Sequence, residues 1–300
     1  MNTQQPILVF GKDGQVSNAL KDLLGERGVY LGIDEADFTD TDACVSHIKH
    51  IQPSAVINAV AYTQVDKAEE QEELATLINA DTPIALARAC KELDIPFVHY
   101  STDYVFDGKG DMPFTEDQKT APLNAYGRGK EASEQGIEQA GGKYLIFRTS
   151  WVFDAHGANF FNTMLRLAAE RDTLNIVGDQ IGAPSYAPDL AEATVQALIE
   201  ASHEHEFPSG IYHMCNDGET SWHGFACNIF QQAQEAGIAL KIKEAEAIAS
   251  SEYPTPAARP YNSRLNCSKL QDVFDVTLPS WDNAVSRAIA LKFNIDAEAA

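Results

Sequence analysis

Two features are missing from this sequence: a hydrophobic run long enough to cross a membrane, and an excess of basic residues. The first apolar run, residues 7–10, has four residues, and no later run reaches the roughly 20 that a membrane helix needs. Lysine and arginine number 22 against 44 aspartates and glutamates, which gives a formal charge of −22 at pH 7. Because such a surface repels phosphate backbones, we expect no nucleic-acid partner and no membrane partner.

Cysteine is scarce and scattered. The five cysteines form no Cys-x-x-Cys pair; they are Cys44, Cys90, Cys215, Cys227 and Cys267. This spacing argues against a zinc site and against a disulfide framework, so we predict no metal site and expect a reducing compartment. Together with the missing hydrophobic run, it predicts a cytoplasmic protein.

What the sequence has instead is a strand, a glycine turn and a helix near its start. Residues 6–10 are typical of a strand buried on both faces of a parallel sheet, and Gly11 and Gly14 follow it before apolar residues recur at helical spacing. In this context glycines let a pyrophosphate approach the backbone, and the helix N-terminus supplies amides. Asp34, 20 residues after Gly14, is spaced to meet an adenosine ribose. Similar glycine turns occur in unrelated proteins, but the absence of Gly-Lys-Ser/Thr excludes a Walker loop.

An alternation of strands and helices continues from there. Further apolar runs lie at residues 55–58, 96–106 and 144–149. This alternation predicts an α/β fold with a Rossmann-type doubly wound parallel sheet over residues 1–150, a dinucleotide-binding domain that residues 185–215 are expected to join. After residue 150 the alternation of strands and helices becomes less regular. Residues 151–184 and 216–300 are expected to form a smaller mixed α/β C-terminal domain that binds substrate.

Polar residues end the strand in residues 96–106. Ser101, Thr102 and Asp103 are therefore expected at the carboxyl edge of the sheet, where open α/β folds bind ligands. Thr102 suits either a substrate contact or a helix cap. Trp151, just after the next strand, suits either a core position or a flat wall for a sugar or a base.

Arg259 lies in a segment that cannot be regular structure. Residues 253–261 contain three prolines, which lack amide donors, and loops of this length in a compact domain are usually functional. Arg259 suits a phosphate clamp. The alternative is an arginine that pins the loop in place.

Tyr126 and Lys130 are four residues apart in a segment that predicts a helix, so their side chains share one face. A neighbouring ammonium lowers the pKa of a phenol from its usual ~10. Such a pair suits proton transfer to a carbonyl oxygen while a hydride arrives from elsewhere. On its own the spacing is more often a solvated helix face, but next to the edge at Thr102 it favours a catalytic site.

Together these motifs resemble the extended short-chain dehydrogenase/reductase superfamily and, within it, the dTDP-4-dehydrorhamnose reductase family. The matching segments run almost end to end, at residues 10–16, 58–69, 99–106, 121–130, 147–152, 179–184, 253–260 and 262–265. The glycine turn and Tyr-x-x-x-Lys belong to the whole superfamily. The runs Ser-Thr-Asp-Tyr-Val-Phe and Tyr-Pro-Thr-Pro-Ala-x-Arg-Pro are much narrower.

The resemblance implies an NADPH- or NADH-dependent oxidoreductase of dTDP-L-rhamnose synthesis, a source of sugar for O-antigen. It would reduce the C4 keto group of dTDP-4-dehydro-6-deoxy-L-mannose (dTDP-6-deoxy-L-lyxo-4-hexulose). Tyr126 would donate the proton, Lys130 would lower its pKa and hold the nicotinamide ribose, and Thr102 would hydrogen-bond the keto oxygen. The implied substrate-binding residues are Thr102, Asp103, Tyr126, Trp151 and Arg259, and Asp103 is grouped with the catalytic residues. The implied cofactor-binding residues are Gly11, Gly14, Gln15, Val16, Asp34, Asp37, Phe38, Ala59, Ala61, Tyr62, Thr63, Tyr126 and Lys130.

The sequence departs from the family at several positions. Ser17 replaces the third glycine of the superfamily turn, which implies slightly looser packing of helix on strand. In some relatives, acids from two subunits bind magnesium at a dimer contact, but the aligned positions hold Ala19 and Pro188, which cannot ligate a hard cation. We therefore expect a monomer or a weak homodimer without a metal bridge. Asp34 disfavours a 2′-phosphate, so either cofactor is expected, with NADPH favoured for a biosynthetic reduction.

Two alternatives remain open. One is another nucleotide-sugar 4-ketoreductase, epimerase or dehydratase of the same superfamily, although a dehydratase is expected to carry Thr-Asp-Glu where Tyr104 follows Asp103. The other is a non-catalytic regulatory subunit resembling that of methionine adenosyltransferase. Retention of Thr102, Tyr126 and Lys130 favours an enzyme.

Overall fold

The structure, a computed structural model, describes residues 5–295. Its strands are β1 (Ile7–Phe10), β2 (Gly28–Leu31), β3 (Ala55–Asn58), β4 (Phe97–Thr102), β5 (Tyr144–Thr149), β6 (Val152–Phe153), β7 (Thr173–Val177), β8 (Ile181–Gly182), β9 (Ser185–Tyr186), β10 (Gly210–His213), β11 (Thr220–Ser221), β12 (Glu244–Ile248) and β13 (Asn262–Ser263). Its α-helices are α1 (Gln15–Leu24), α2 (Thr41–Ile51), α3 (Val65–Ala68), α4 (Glu72–Thr76), α5 (Thr82–Glu92), α6 (Ala125–Ala140), α7 (Phe160–Glu170), α8 (Ala187–His203), α9 (Trp222–Glu235), α10 (Ser268–Phe274) and α11 (Trp281–Phe293).

A parallel sheet organises the fold. Among the described residues it has six strands in the order β10-β5-β4-β3-β1-β2, and each recorded pairing is parallel. The order reverses between the adjacent strands β1 and β3, so the carboxyl ends of these two strands border a crevice suited to a ligand. The predicted Rossmann-type doubly wound sheet is confirmed. β10 lies in this sheet, and the assignment of residues 185–215 to a dinucleotide-binding domain stays a prediction.

The central strands are apolar because both faces of the sheet are covered. On one side Val9, Ile57 and Phe147 pack with side chains of α1, α8 and α10. On the other side Leu8 and Phe10 pack, together with other strand residues, against α2, α5 and α6. Alternate residues of a strand point to opposite faces. The four-residue run that opens the chain therefore serves two hydrophobic cores.

A second hydrophobic core lies outside this sheet. It is built from α7, α9 and α11 with the two-stranded parallel pair β7–β12, and Phe161, Leu174, Phe225 and Val285 are buried in it. Small sheets, β11-β8-β13 and β6-β9, connect this part to the ends of the main strands. This is a mixed α/β region as predicted. Its exact boundaries and its role in binding substrate stay predictions.

The sequence predicts a helical segment over residues 66–93 with a bend near Pro83. The structure has α3, α4, a π-helical turn at Leu77–Asp81 and α5 there, and the chain leaves helical dihedrals between α3 and α4, at Gln71. The π-helical turn runs directly into α5, since Asp81 and Thr82 are both helical, so the irregularity lies immediately before Pro83 as predicted. Within residues 5–295, no helix is both long enough and apolar enough to span a bilayer.

Candidate functional site

The carboxyl end of β4 forms a tight polar turn. Thr102 is the last residue of the strand, and a 3₁₀ turn at Asp103–Val105 follows. The Thr102 hydroxyl accepts a hydrogen bond from the Tyr104 amide at 3.2 Å and donates one to Asp103 Oδ1 at 3.0 Å. Thr102 is thus both a cap of the turn and a partner of the carboxylate.

Helix α6 begins directly beside this turn. The Asn124 side chain caps it by accepting from the Gly127 amide at 2.8 Å, and Glu69 accepts from the Ala125 amide at 2.6 Å. Gly127 is required for the close approach, since a Cβ there would lie 2.3 Å from the Tyr104 carbonyl oxygen. The first turn of α6, which carries Tyr126, is therefore held against the end of β4.

Tyr126 is surrounded by groups that disfavour its ionisation. Burial raises its pKa most, the charge of Asp103 raises it further, and the Thr102 hydroxyl lowers it. The Tyr104 ring packs edge-on against it, with ring centroids 5.8 Å apart. The phenol therefore holds its proton at neutral pH, which suits a general acid.

Lys130 is bonded to the main chain of β4. Its Nζ donates to the Tyr100 carbonyl oxygen at 2.8 Å. Burial lowers the pKa of Lys130 to about 7, and the Glu134 carboxylate partly opposes this. Burial dominates the pKa of both Lys130 and Tyr126, and the predicted lowering of the Tyr126 pKa by the Lys130 ammonium stays a prediction.

Asp103 is a buried carboxyl group, 2% exposed. Its Oδ2 has no hydrogen-bond partner within residues 5–295. Burial raises its pKa to about 7, while the hydroxyls of Ser263 and Thr102 lower it. A polar atom left unpaired in the interior is costly, so this oxygen is a candidate contact for a ligand.

A cleft of 370 Å³ lies beside the glycine turn, at the ends of β1 and β3. It is lined by Gly11, Lys12, Asp13, Gly14, Gly32, Ile33, Ala36, Asp37, Phe38, Ala59, Val60, Ala61, Tyr62, Thr63, Gln64 and Ile78. Gly11 has φ +98°, and a Cβ there would lie 2.9 Å from the Ala59 carbonyl carbon. Glycine is therefore the residue that allows this turn to pass so close to β3.

The start of α1 suits the pyrophosphate of a dinucleotide. Its N-cap, Gly14, has no side chain to bond the first amides, and no acidic residue lies in the first turn. Free amides and the positive end of the helix dipole favour a bound anion. Gln15 and Val16, the first residues of the helix, and Gly14 therefore fit a phosphate group.

A larger cleft of 710 Å³ lies between α7, β7 and the loop at residues 253–261, here called the proline-rich loop. Phe160, Gln180 and Trp222 are among its lining residues. Trp151 stacks on Trp222, with ring centroids 3.7 Å apart and planes at 15°. Trp151 also has φ +49°, a strained value for a non-glycine residue. The structure thus places Trp151 in an aromatic stack with a lining residue of this cleft.

Arg259 lines the same cleft and pins its loop. Its Nη1 and Nη2 donate to the two carboxylate oxygens of Asp66 at 3.0 and 2.8 Å, and Asp66 also accepts from the Ala257 amide at 3.1 Å. The loop-pinning alternative is therefore correct for this structure. Asp66 lines the larger cleft, and Gln64, two residues earlier in the chain, lines the smaller one.

Comparison with known proteins identifies the family. The sequence profile of the RmlD substrate binding domain family matches residues 5–293. The dTDP-4-dehydrorhamnose reductase of Salmonella typhimurium is 44% identical over 293 residues, covering 96% of this chain and 98% of that protein. The chain belongs to the dTDP-4-dehydrorhamnose reductase family. A dTDP-4-dehydrorhamnose reductase from Escherichia coli is 43% identical over 289 residues, with 94% of this chain and 96% of that protein covered.

A solved structure of the family has the same fold. It is the dTDP-4-dehydrorhamnose reductase of Bacillus anthracis in complex with NADP, which matches with a TM-score of 0.88. The two are 32% identical, and the match covers 96% of this chain and 99% of that one. The family named from the sequence is confirmed.

Most of the residues that the family resemblance implies for the site lie either at the smaller cleft or around Tyr126. Those at the smaller cleft are Gly11, Gly14, Asp37, Phe38, Ala59, Ala61, Tyr62 and Thr63. Tyr126 and Tyr62 both pack against the buried cluster of Ala68, Ala75 and Ala125, and Thr102 and Asp103 adjoin Tyr126. Asp34 is exposed and is not among the lining residues, whereas its neighbours Gly32 and Ile33 are. The binding roles of all these residues stay predictions.

Sequence reasoning for this family missed several residues of the site. Asp66 holds Arg259 from 193 positions away. Ser263 reaches Asp103, and Trp222 stacks on Trp151. The sequence did single out the region of Ser263, because this residue lies in one of the segments that match the family, residues 262–265. For Trp222 no pattern in its own helix pointed to the cleft.

Proposed function

We propose that this protein catalyses the NADPH- or NADH-dependent reduction of the C4 keto group of dTDP-4-dehydro-6-deoxy-L-mannose, giving dTDP-L-rhamnose. One observation carries the proposal. The chain is 44% identical to a protein with that named activity over nearly its whole length, and Thr102, Asp103 and Tyr126 adjoin one another at the end of β4. Membership of the family supports the reaction, and the grouping supports its catalytic residues.

The smaller cleft is proposed to hold the dinucleotide. Gly14, Gln15 and Val16 would contact the pyrophosphate, since their helix end offers amides and no acidic side chain. Asp37, Phe38 and the 59–63 segment would line the adenosine and nicotinamide side. When bound, the nicotinamide supplies the hydride to C4 of the sugar. Lys12 carries a positive charge at this cleft, although it is paired with Glu35 at 3.1 Å.

Tyr126 is proposed to supply the proton. As C4 becomes tetrahedral, its oxygen gains negative charge and takes the phenolic proton of Tyr126, so the keto group becomes a hydroxyl. The Thr102 hydroxyl is a second hydrogen-bonding group for that oxygen, and it also interacts with the phenol. Lys130 lies one helical turn further along α6, where it would meet the nicotinamide ribose. The protein thereby contributes orientation and an acid in a site shielded from water.

The larger cleft is proposed to take the nucleotide part of the substrate. Arg259 would contact a phosphate in addition to Asp66, because a guanidinium has five N–H donors and Asp66 uses part of that set. Trp151 would contact the deoxysugar. We further propose the division predicted above, with residues 1–150 and 185–215 binding the dinucleotide and the remainder binding substrate. A monomer or weak homodimer without a metal bridge is proposed, since Ala19 is buried against α8.

A turnover assay tests the proposal. The purified protein is given enzymically generated dTDP-6-deoxy-L-lyxo-4-hexulose with NADPH, and separately with NADH. We expect oxidation of the cofactor with equimolar formation of dTDP-L-rhamnose, identified by NMR. Sugar conversion without net oxidation of the cofactor would instead indicate an epimerase. No turnover by folded protein with either cofactor would favour the regulatory-subunit alternative and refute the proposal.

A further inference from the structure

Helix α6 presents a third ionisable side chain on the face that carries Tyr126 and Lys130. Glu134 follows Lys130 by four residues, as Lys130 follows Tyr126, so the three side chains lie along one side of the helix. The Glu134 side chain is only 2% exposed. Carboxylates are rarely buried unless they are paired, so its contacts indicate what it does.

The Glu134 carboxylate joins α6 to two strands of the sheet. Arg148, from β5, donates through Nε to Oε1 at 2.9 Å and through Nη2 to Oε2 at 2.7 Å. Ser101, from β4, donates to Oε1 at 2.5 Å. Bidentate arginine–carboxylate pairs fix geometry as well as adding energy. One carboxylate thus holds the helix against β4 and β5 together.

These contacts lie next to the reacting groups. Ser101 immediately precedes Thr102, and Lys130 Nζ is bonded to the carbonyl oxygen of Tyr100. Two successive turns of α6 are therefore fixed to two successive residues of β4. A shift of the helix along β4 would break both contacts and would move Tyr126 relative to Thr102.

Glu134 also carries a negative charge one helical turn from Lys130. Its recorded ion pair is with Arg148, and it acts on Lys130 through its charge: burial lowers the pKa of Lys130, and Glu134 raises it. The other groups on this side are His99 from β4, Asp103 from the turn after it, Arg148 from β5, and Glu138 on α6, whose pKa is raised by burial and by Glu134. Burial and Lys130 hold the pKa of His99 well below its usual range, so that imidazole is neutral. Arg148 is engaged by Glu134 itself.

We propose that Glu134 is a positioning residue for the reduction: it fixes α6 on β4 and β5 and keeps the Lys130 ammonium charged in a buried site. The inference rests on the proposed function for its kinetic consequence. Its electrostatic part concerns the titration of Lys130, which is measurable without turnover.

The test is Glu134→Gln, which keeps the shape of the side chain and removes its charge. The matched control is Glu138→Gln, which removes the same charge one turn further along α6 at an exposed position. Titration of Lys130 is followed by NMR in protein labelled with ¹³C at lysine Cε, and its signal is identified by its loss in Lys130→Arg. We expect the midpoint to fall by about one pH unit or more in Glu134→Gln and to stay unchanged in Glu138→Gln.

Kinetics provide the second readout. If charged Lys130 is needed, the rate is lost as pH rises through its pKa, and Glu134→Gln moves that loss to lower pH. One pH unit above the wild-type midpoint, kcat should be about tenfold below wild type, with a smaller loss at low pH. An unchanged Lys130 midpoint, or a rate lowered equally at all pH values, would overturn the proposal and indicate a purely structural role.

Glu134→Gln leaves the buried Arg148 without its counter-charge, which endangers folding. Glu134→Gln/Arg148→Met removes both charges and leaves a side chain of similar length at position 148, so it is the variant to use if the single one is unstable. The Lys130 midpoint is again expected to fall, but by less, because removing the Arg148 cation acts in the opposite direction to removing the Glu134 charge. An unchanged midpoint refutes the proposal here as well. Failure of the wild-type turnover assay would refute the proposed reaction but leave the NMR result decisive for Glu134.

Discussion

The buried carboxyl group of Asp103 makes a quantitative prediction about stability. Its pKa is raised to about 7 by burial, against roughly 3.9 in an unfolded chain. Below about pH 4 both states hold the proton, and stability is unaffected. As pH rises from there to 7, the unfolded chain releases the proton and the folded protein does not. Each pKa unit corresponds to 1.36 kcal/mol, so about 4 kcal/mol of stability is lost above pH 7.

Asp103→Asn removes this dependence. Urea unfolding at pH 5.5 and at pH 8, followed by tryptophan fluorescence, measures it while staying above the isoelectric point near 4.6. Between pH 5.5 and pH 8, the ionisation of Asp103 is expected to lower the free energy of unfolding by about 2 kcal/mol. We expect wild type to lose that much more stability than Asp103→Asn. Asp111→Asn, an exposed control in the following loop, should retain the wild-type dependence. If Asp103→Asn and wild type fall equally between the two pH values, the reasoning from burial is refuted.

Other predictions concern the two clefts. Gly11→Ala should weaken NADPH binding at least about tenfold in calorimetry, because its Cβ would collide with Ala59; Gly25→Ala, also at positive φ but in open space, should bind normally. Arg259→Lys should raise KM for the dTDP-sugar about tenfold and leave kcat unchanged, because lysine lacks bidentate geometry. The control Arg264→Lys should keep the wild-type KM. A wild-type KM in Arg259→Lys would refute the proposed contact of Arg259 with a substrate phosphate. EDTA should change neither activity nor mass in solution, and loss of either would contradict metal independence.

Much of the fold could be predicted from the local pattern of apolar and polar residues. Short apolar runs predict buried parallel strands because both sheet faces are covered, and β3 and β5 have the bounds that the sequence predicts. The position of Thr102 at a strand end follows in the same way. The break between α3 and α4 was harder to predict, because no proline or glycine marks it in residues 66–76.

The parts of the site that depend on long-range contacts were not predictable from pattern. Asp66 and Arg259 meet only because the proline-rich loop folds back over α3. The stack of Trp151 on Trp222 depends on how two separate segments pack. The burial of Tyr126 and Lys130 was not predictable for a different reason, since helix spacing gives the distance between side chains but not the burial that controls their pKa values.

The most direct measurement of the central claim is the turnover of Tyr126→Phe beside wild type, with dTDP-6-deoxy-L-lyxo-4-hexulose and NADPH. We expect a loss of at least about 10² in kcat, the low end of general-acid effects, with NADPH binding retained because the ring stays in place. Wild-type turnover by Tyr126→Phe would contradict the assignment of this phenol as the proton donor.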